Sequence, residues 1–187
     1  MNNIAKDELI HKAARIRLVA LDMDGTLTDG SINISGQGEL FKRFNAKDGL
    51  GITAAKRHGL RVAVITGRKG PIIRYRAEEL GIAEDVMSGI SAKKQALFAL
   101  AGKHGLTPEE IAFMGDDLND LPAILTAGLS AAPADAAEDV KSRVSWVSPH
   151  KGGQGAVRDL LELVLKARGI WDAIVREYSE EGKGDRQ

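Results

Sequence analysis

Two aspartates stand at the end of a short apolar stretch, LVAL at residues 18–21. Asp22 follows it directly and Asp24 comes two positions later. An apolar run of this kind is typical of a buried strand, so both carboxylates would lie at its carboxyl end and repel each other. A divalent cation would relieve the repulsion, and all-oxygen ligands beside a phosphate suit Mg²⁺. A turn with a helix cap is the simpler explanation of one aspartate after a strand, and three further motifs argue against it here.

Two of those motifs could bind an anion. In VITGR (64–68), Thr66 offers a hydroxyl and Arg68 a guanidinium that can hold an anion through two hydrogen bonds. In SAKKQALFAL (91–100), Lys93 lies in the first turn of a predicted helix, where the helix dipole mildly disfavours a cation. A phosphate nearby would explain that lysine. A capping threonine and a solvated lysine pair are the structural alternatives.

The last motif, FMGDDLNDLP (113–122), crowds three aspartates where a strand is predicted to turn into a helix. They are Asp116, Asp117 and Asp120. An ordinary helix cap needs one acidic side chain. Three of them indicate a metal site.

Alternating strand-like and helix-like patterns must position these residues. The predicted strands are 17–22, 61–66, 84–89, 110–115, 128–132 and 143–147. The predicted helices are 3–15, 47–58, 70–80, 91–104, 118–127, 135–141 and 153–168. Such alternation predicts an α/β fold, a Rossmann-like doubly wound parallel sheet covered on both faces. Ligands of such sheets bind outside the carboxyl ends of the strands, where all four motifs would lie.

One segment interrupts the alternation. GSINISGQGELFKRFN (30–45) has two strand-like runs around SGQG, which predicts a β-hairpin directly after the first strand. The stretches that separate Asp22, Thr66 and Asp116 are otherwise filled by ordinary strand and helix units, so no cap domain is expected. We expect a single domain over residues 1–170, with the hairpin as a flap over about 30–45 and a C-terminal tail over 171–187 that is partly disordered.

The bulk composition narrows the classes of function. The 187 residues suit one α/β domain. Lysine plus arginine and aspartate plus glutamate are both 26, and this balance argues against a nucleic-acid or membrane-surface partner. The sequence has no cysteine and therefore no disulfide or thiolate metal site, which is consistent with a cytoplasmic protein. No apolar run approaches the length of a membrane span.

In order, DxDxT at 22–26, TGR at 66–68, Lys93 and GDDxxD at 115–120 resemble the haloacid dehalogenase superfamily of phosphotransferases. The resemblance implies that Asp22 is the nucleophile and Asp24 the general acid and base. Thr66 and Lys93 would hold the transferring phosphoryl group. Asp116 would complete a Mg²⁺ site with Asp22 and Asp24.

From about residue 17 to about residue 169, hairpin included, the chain resembles the capless 3-deoxy-D-manno-octulosonate 8-phosphate phosphatases. That resemblance implies hydrolysis of an acidic sugar phosphate in lipopolysaccharide synthesis by a homotetramer whose neighbouring hairpins close each site. The family's substrate positions fall here on Asp24, Asn45, Lys47, Asp48, Gly49, Arg68, Arg76 and Lys93. The family also uses position 53, which is threonine here where the family's best-known members have arginine.

Other interpretations of these patterns remain open at this point. The substrate could instead be a nine-carbon sugar acid phosphate of the neuraminate type. A phospho-receiver domain also places acids, a threonine and a lysine on a parallel sheet, but lacks DxDxT. A non-catalytic subunit is disfavoured by the intact Asp22 and Asp24. The stretch FNAKDGLG (44–51) could also be a simple helix start capped by Asp48.

Overall fold

The computed structural model describes residues 3–180, with side chains from residue 6 onward. It contains eight strands: β1 (Leu18–Leu21), β2 (Asn33–Ser35), β3 (Gly38–Phe41), β4 (Arg61–Thr66), β5 (Val86–Ser88), β6 (Ile111–Met114), β7 (Leu129–Ala132) and β8 (Trp146–Val147). The strands β2 and β3 form the hairpin. The other six form the main sheet, in which all are parallel and the order is β5-β4-β1-β6-β7-β8. All six predicted sheet strands are confirmed, and β8 is the shortest.

Helices cover both faces of this sheet. They are α1 (Asn3–Arg15), α2 (Ala46–Arg57), α3 (Pro71–Glu79), α4 (Lys93–His104), α5 (Leu121–Ile124), α6 (Glu138–Lys141), α7 (Ala156–Ala167) and α8 (Trp171–Ser179). One core lies between the sheet and α1, α2, α3, α7 and α8, and a second lies between the sheet and α4, α5 and α6. In β1, Val19 and Leu21 face the first core and Leu18 and Ala20 the second, as expected of a central parallel strand.

The helix predicted over 118–127 is wrong in its bounds. A 3₁₀ turn over Leu118–Asp120 precedes the four-residue α5. The Asp117 side chain accepts a hydrogen bond from Leu118 N and, with Asp120, forms a capping box, so the chain turns tightly at the end of the GDD motif. Pro122 then occupies the first turn of α5, where a missing N–H costs nothing.

The predicted hairpin is present. β2 and β3 pair antiparallel in a sheet of their own, and no strand of the main sheet within residues 3–180 hydrogen-bonds to them. The doubly wound sheet and the hairpin account for the strands of this part of the chain, and no inserted cap domain lies between them.

The segment predicted as a partly disordered C-terminal tail begins with a helix, α8, that the sequence analysis did not predict. Trp171, Ile174 and Tyr178 recur at helical spacing, and α8 packs this face onto the first core, where Ile174 is buried. The Arg158 guanidinium lies 5.0 Å from the centre of the Trp171 ring. Residues 181–187, also part of that predicted tail, lie outside the described residues.

Within residues 3–180, no helix has both the length and the apolar character needed to cross a bilayer. The strand order sets β4, β1 and β6 side by side at the centre of the sheet. Because the strands are parallel, Thr66, Asp22 and the GDD motif come together at one edge.

Candidate active site

Three carboxylates meet where β1 and β6 end. One oxygen from each of Asp22, Asp116 and Asp120 lies within 4.8 Å of the others. Asp22 N donates to Met114 O at 2.9 Å, which continues the β1–β6 pairing up to the acidic residue itself. Asp120 is fully buried and reaches back to accept from the backbone N–H of Asp116 at 3.0 Å.

Lys93 is the cation of this cluster. Its Nζ donates to Asp22 Oδ1 at 2.7 Å and to Asp120 Oδ1 at 2.5 Å, and its side chain is 1% exposed. Burial alone would lower the pKa of Lys93, but the charges of Asp22 and Asp120 outweigh it and raise that pKa. The lysine at the start of α4 is therefore charged and fixes the orientation of Asp22.

One lysine does not balance three acids. Burial, and then the charge of Asp120, raise the pKa of Asp22 to about 6 despite the opposing effect of Lys93. Burial, and then the charges of Asp22 and Asp120, raise the pKa of Asp116 to about 7. A donor set of carboxylate oxygens with surplus negative charge fits a small hard divalent cation such as Mg²⁺.

The loop that carries the DxDxT motif is shaped around Asp116. Thr26 Oγ1 donates to Asp116 Oδ1 at 3.4 Å. Gly25 has φ of +91°, and a Cβ there would lie 2.0 Å from Asp116 Oδ2. Only glycine fits this position, because it supplies both the left-handed backbone and the space that the carboxylate occupies.

The Asp24 side chain lies outside the acidic cluster. Its Oδ1 accepts from Lys42 Nζ, and its Oδ2 pairs with Arg68 Nε at 3.2 Å. Of the three expected metal ligands, the structure therefore brings Asp22 and Asp116 together and holds the Asp24 carboxylate between two cations instead. Asp120 takes the third place in the cluster.

Three of the four motifs line one cavity of about 250 Å³, and Lys93 lies buried behind Asp22. Among its lining residues are Asp22, Asp24, Thr66, Arg68 and Asp116. The Thr66 hydroxyl accepts from Arg68 N at 3.3 Å, so the TGR turn folds over the end of β4. The prediction that separate motifs converge at one edge of the sheet is confirmed by this arrangement.

Two expected substrate residues instead organise the start of α2 and α7. Asn45 caps α2 by accepting from Lys47 N at 2.8 Å. Asp48 is buried, and it accepts from Arg158 N at 2.8 Å and Gly155 N at 3.3 Å at the start of α7. The interpretation of Asp48 as the cap of α2 is therefore wrong, since Asn45 holds that position. Burial is the main cause that raises the pKa of Asp48.

Other expected substrate residues lie in a second cavity of about 200 Å³ between α2 and α3. Arg76, Gly49, Thr53 and Phe44 line it. The Arg76 guanidinium stacks 5.2 Å from the centre of the Phe44 ring, and its Nη1 donates to Glu79 at 2.6 Å. Its Nε is buried with no hydrogen-bond partner. Gly49 makes room for this arginine, because a Cβ there would lie 2.5 Å from Nη2.

Lys47 lines a third cavity, of about 430 Å³, together with His150 and Arg158. His150 is not among the residues that line the cavity of Asp22. Its Nδ1 lies 2.7 Å from Asp159 Oδ2. Within one chain, five of the eight expected substrate residues are thus distributed over three cavities. Asp24 and Arg68 line the first, Gly49 and Arg76 the second, and Lys47 the third.

The sequence patterns did not reveal one site residue, Lys42, and they did not reveal the contacts of a second, Asp120. Lys42 was passed over within the hairpin, although its side chain is fully buried against Asp24. Asp120 was included only as a third acid of the GDD motif, although it bonds Lys93 and the Asp116 backbone. A lysine between Phe41 and Phe44 was the one local signal for Lys42.

Known proteins resemble this chain along most of its length. The family model of the haloacid dehalogenase-like hydrolases matches residues 81–160. The 3-deoxy-D-manno-octulosonate 8-phosphate phosphatase of Escherichia coli K12 is 42% identical over 165 residues, which are 88% of this chain and 87% of that protein.

Solved structures agree with that match. The 3-deoxy-D-manno-octulosonate 8-phosphate phosphatase of Yersinia pestis has a TM-score of 0.86 and 40% identity, with 89% of each chain covered. Its counterpart from Moraxella catarrhalis, solved in complex with magnesium ion, phosphate ion and KDO, has a TM-score of 0.88 and 38% identity. That match covers 92% of this chain and 98% of the other.

The raised pKa values predict a pH-dependent affinity for Mg²⁺. In the metal-free protein, Asp22 and Asp116 hold protons below their pKa values of about 6 and about 7. A divalent cation must displace those protons, so its affinity should rise at least about tenfold from about pH 5 to about pH 7.5 and then level off. Isothermal titration calorimetry of the metal-stripped protein across this range measures the effect.

The exposed Asp139→Asn, on α6, serves as the control and should keep the same profile. An affinity that stays constant from pH 5 to pH 7.5, within about twofold, would contradict the assignment of the acidic cluster as the metal site.

Proposed function

The chain belongs to the 3-deoxy-D-manno-octulosonate 8-phosphate phosphatase family of haloacid dehalogenase-like hydrolases, and we propose on that basis that it hydrolyses this sugar acid phosphate. The products are the free sugar acid, a lipopolysaccharide precursor, and phosphate, and the reaction depends on Mg²⁺. The observation that carries the proposal is the junction of β1 and β6, where Lys93 orients the Asp22 carboxylate beside Asp116 and Thr66 in one cavity.

Asp22 is the nucleophile in this proposal. Its carboxylate oxygen bonds to phosphorus while the bond from phosphorus to the sugar oxygen breaks, giving an aspartyl-phosphate. The departing oxygen takes a proton from Asp24. Asp24 then accepts a proton from a water molecule whose oxygen attacks phosphorus, which frees Asp22 and releases phosphate.

Charge on the phosphoryl group must be balanced during both transfers. Lys93 already donates to Asp22 from the buried side, and Thr66 faces the same cavity. Both can donate to the phosphoryl oxygens as the bond to Asp22 forms. Asp22 and Asp116 would hold a Mg²⁺ ion, which would supply the remaining positive charge.

Recognition of the sugar acid falls to cations outside the acidic cluster. The phosphate uses Thr66 and Lys93, so Lys47, Arg68 and Arg76 remain for the substrate carboxylate. We also propose Asn45, Asp48 and Gly49 as substrate-binding residues, and each has a structural contact as well. Asn45 and Asp48 hold the start of α2 and α7, and Gly49 leaves space for Arg76.

We further propose a homotetramer in which each site is completed by neighbouring chains. Its support is twofold. The hairpin exposes apolar side chains, Ile32, Ile34, Leu40 and Phe41, and such a patch is typical of an interface. Arg76 and Lys47 also line cavities other than that of Asp22, as expected if a second copy helps to complete the substrate site. The cysteine-free composition supports the cytoplasm as the proposed compartment.

A substrate panel tests the function. With Mg²⁺, the protein should release phosphate from 3-deoxy-D-manno-octulosonate 8-phosphate with a kcat/KM at least about tenfold above that for a nine-carbon neuraminate-type sugar acid phosphate. Asp22→Asn should fold normally, by circular dichroism, and lose at least about a thousandfold in kcat because an amide cannot attack phosphorus. A higher kcat/KM for the nine-carbon substrate would replace the proposed one, and full activity of Asp22→Asn would remove the nucleophile.

Arg76→Ala tests the recognition of the substrate carboxylate. Loss of a hydrogen-bonded charge contact costs about 1.5–3 kcal/mol, or roughly tenfold to a hundredfold in kcat/KM for the sugar acid phosphate. An aryl phosphate without a carboxylate should lose less than about threefold. Arg74→Ala is the matched control, since Arg74 pairs with Glu78 on the outer face of the same helix. Equal losses on both substrates would show that Arg76 is structural.

Ile34→Asp tests the proposed assembly. A charge on this exposed hairpin residue should convert a tetramer into smaller species and lower kcat/KM for the sugar acid phosphate by about tenfold or more. Light scattering coupled to size-exclusion chromatography gives the mass. Leu125→Asp, just after α5, changes a residue of nearly the same exposure, 66% against 65%, and should change neither. A wild-type protein that is a fully active monomer would contradict the proposal.

A further inference from the structure

A buried lysine joins the hairpin to the catalytic cavity. Lys42 directly follows β3, and its side chain is 0% exposed. Its Nζ donates to Asp24 Oδ1 and lies 2.7 Å from Glu39 Oε1 on β3. A lysine almost never lies fully buried unless it is paired, and here both partners are carboxylates.

The two cations that contact Asp24, Arg68 and Lys42, differ in how freely their side chains can move. Arg68 pairs with Asp24 Oδ2 at 3.2 Å, but 45% of its side chain is exposed and it lines the cavity. A substrate can draw Arg68 away without burying a new charge. Lys42 has no access to solvent, so its contact with Oδ1 persists when Arg68 moves. Lys42 is therefore the contact that sets the orientation of the Asp24 carboxylate.

The same lysine ties that orientation to the hairpin. β2 and β3 form their own sheet, and among residues 3–180 no strand of the main sheet pairs with them. Main-chain hydrogen bonds between strands therefore do not attach the hairpin to the main sheet. The Glu39–Lys42–Asp24 chain of ion pairs does connect them, and it runs from β3 to the loop after β1.

We propose that Lys42 is a positioning residue that acts through Asp24, an inference that rests on the proposed function. Lys42 neither contacts the substrate nor transfers a proton. It holds the Asp24 carboxyl where it can protonate the departing sugar oxygen and later deprotonate the attacking water. Glu39 makes this placement depend on the docked hairpin.

The choice of leaving group separates positioning from a merely structural role. A sugar alkoxide is a poor leaving group and needs a proton from Asp24, whereas a nitrophenolate departs without one. Formation of the aspartyl-phosphate from p-nitrophenyl phosphate therefore does not need Asp24 in place. Hydrolysis of that intermediate still does, because Asp24 must accept the proton of water.

Lys42→Met keeps the length and apolar stem of the side chain and removes its charge. With 3-deoxy-D-manno-octulosonate 8-phosphate, kcat should fall about a hundredfold and KM should change less than about threefold. With p-nitrophenyl phosphate, rapid-quench kinetics should show a burst of nitrophenol at a rate within about threefold of wild type, followed by slow turnover. Lys42→Arg should restore at least about a tenth of the wild-type kcat, since it returns a cation to Asp24.

Lys103→Met is the matched control, because Lys103 also pairs with an aspartate, Asp85, but on α4 away from the cavity. It should leave both substrates unaffected. If Lys42→Met unfolds, Glu39→Gln tests the same chain of ion pairs. Its first chemical step should slow several-fold with the sugar substrate and should keep the wild-type rate with p-nitrophenyl phosphate.

Equal loss of the first chemical step on both substrates, in a folded Lys42→Met or Glu39→Gln protein, would overturn the proposal. Wild-type protein that hydrolyses p-nitrophenyl phosphate but not the octulosonate phosphate would instead overturn the proposed function. In that case any alkyl phosphate that the wild type does hydrolyse takes the place of the sugar substrate, and the same comparison decides the role of Lys42.

Discussion

Two buried carboxylates and a half-buried one share the junction of β1 and β6 with one lysine, and the rest of the site is arranged around that imbalance of charge. Asp120 and Lys93 form the permanent part, sealed from solvent and bonded to each other. Asp22 and Asp116 face the cavity and carry the charge that Lys93 does not neutralise. Burial, and then the charges of neighbouring aspartates, raise the pKa values of both groups, so a bound proton or cation removes a charge that the site does not neutralise.

Around this cluster, the fold determines where the reactive side chains lie. Parallel pairing of β1 with β4 and β6 brings Asp22, Thr66 and Asp116 to one edge. Gly25 lets the DxDxT loop close over Asp116. The hairpin stands where related superfamily members can carry a cap domain, and Lys42 fastens it to Asp24. A site without a cap is open, and the separate cavities of Arg76 and Lys47 are consistent with closure by further copies of the chain.

The features of the fold and the site that follow from local sequence patterns were predictable. The apolar run before Asp22 and the order of the four motifs predicted the central strand, the sheet and the cavity at its edge. The contacts of Lys93 and Lys42 were not, because each joins residues far apart along the chain whose burial no local pattern reveals. α8 was missed for a different reason. Apolar residues recur at helical spacing from Trp171 onward, but the charged residues after Ser179 led to the whole segment being predicted as a tail.

The central claim is that the Asp22 carboxylate, oriented by Lys93, attacks phosphorus. Trapping the intermediate tests it most directly. Wild-type protein would be mixed with substrate carrying radiolabelled phosphate, quenched in acid within the first turnover, reduced with borohydride and mapped by mass spectrometry. If Asp22 is the nucleophile, the label should be covalently bound to the protein before it appears as free phosphate. Borohydride should then reduce the phosphorylated side chain of Asp22 alone. Label on Asp24 or Asp116, or phosphate release in the first turnover with no covalent label, would contradict it.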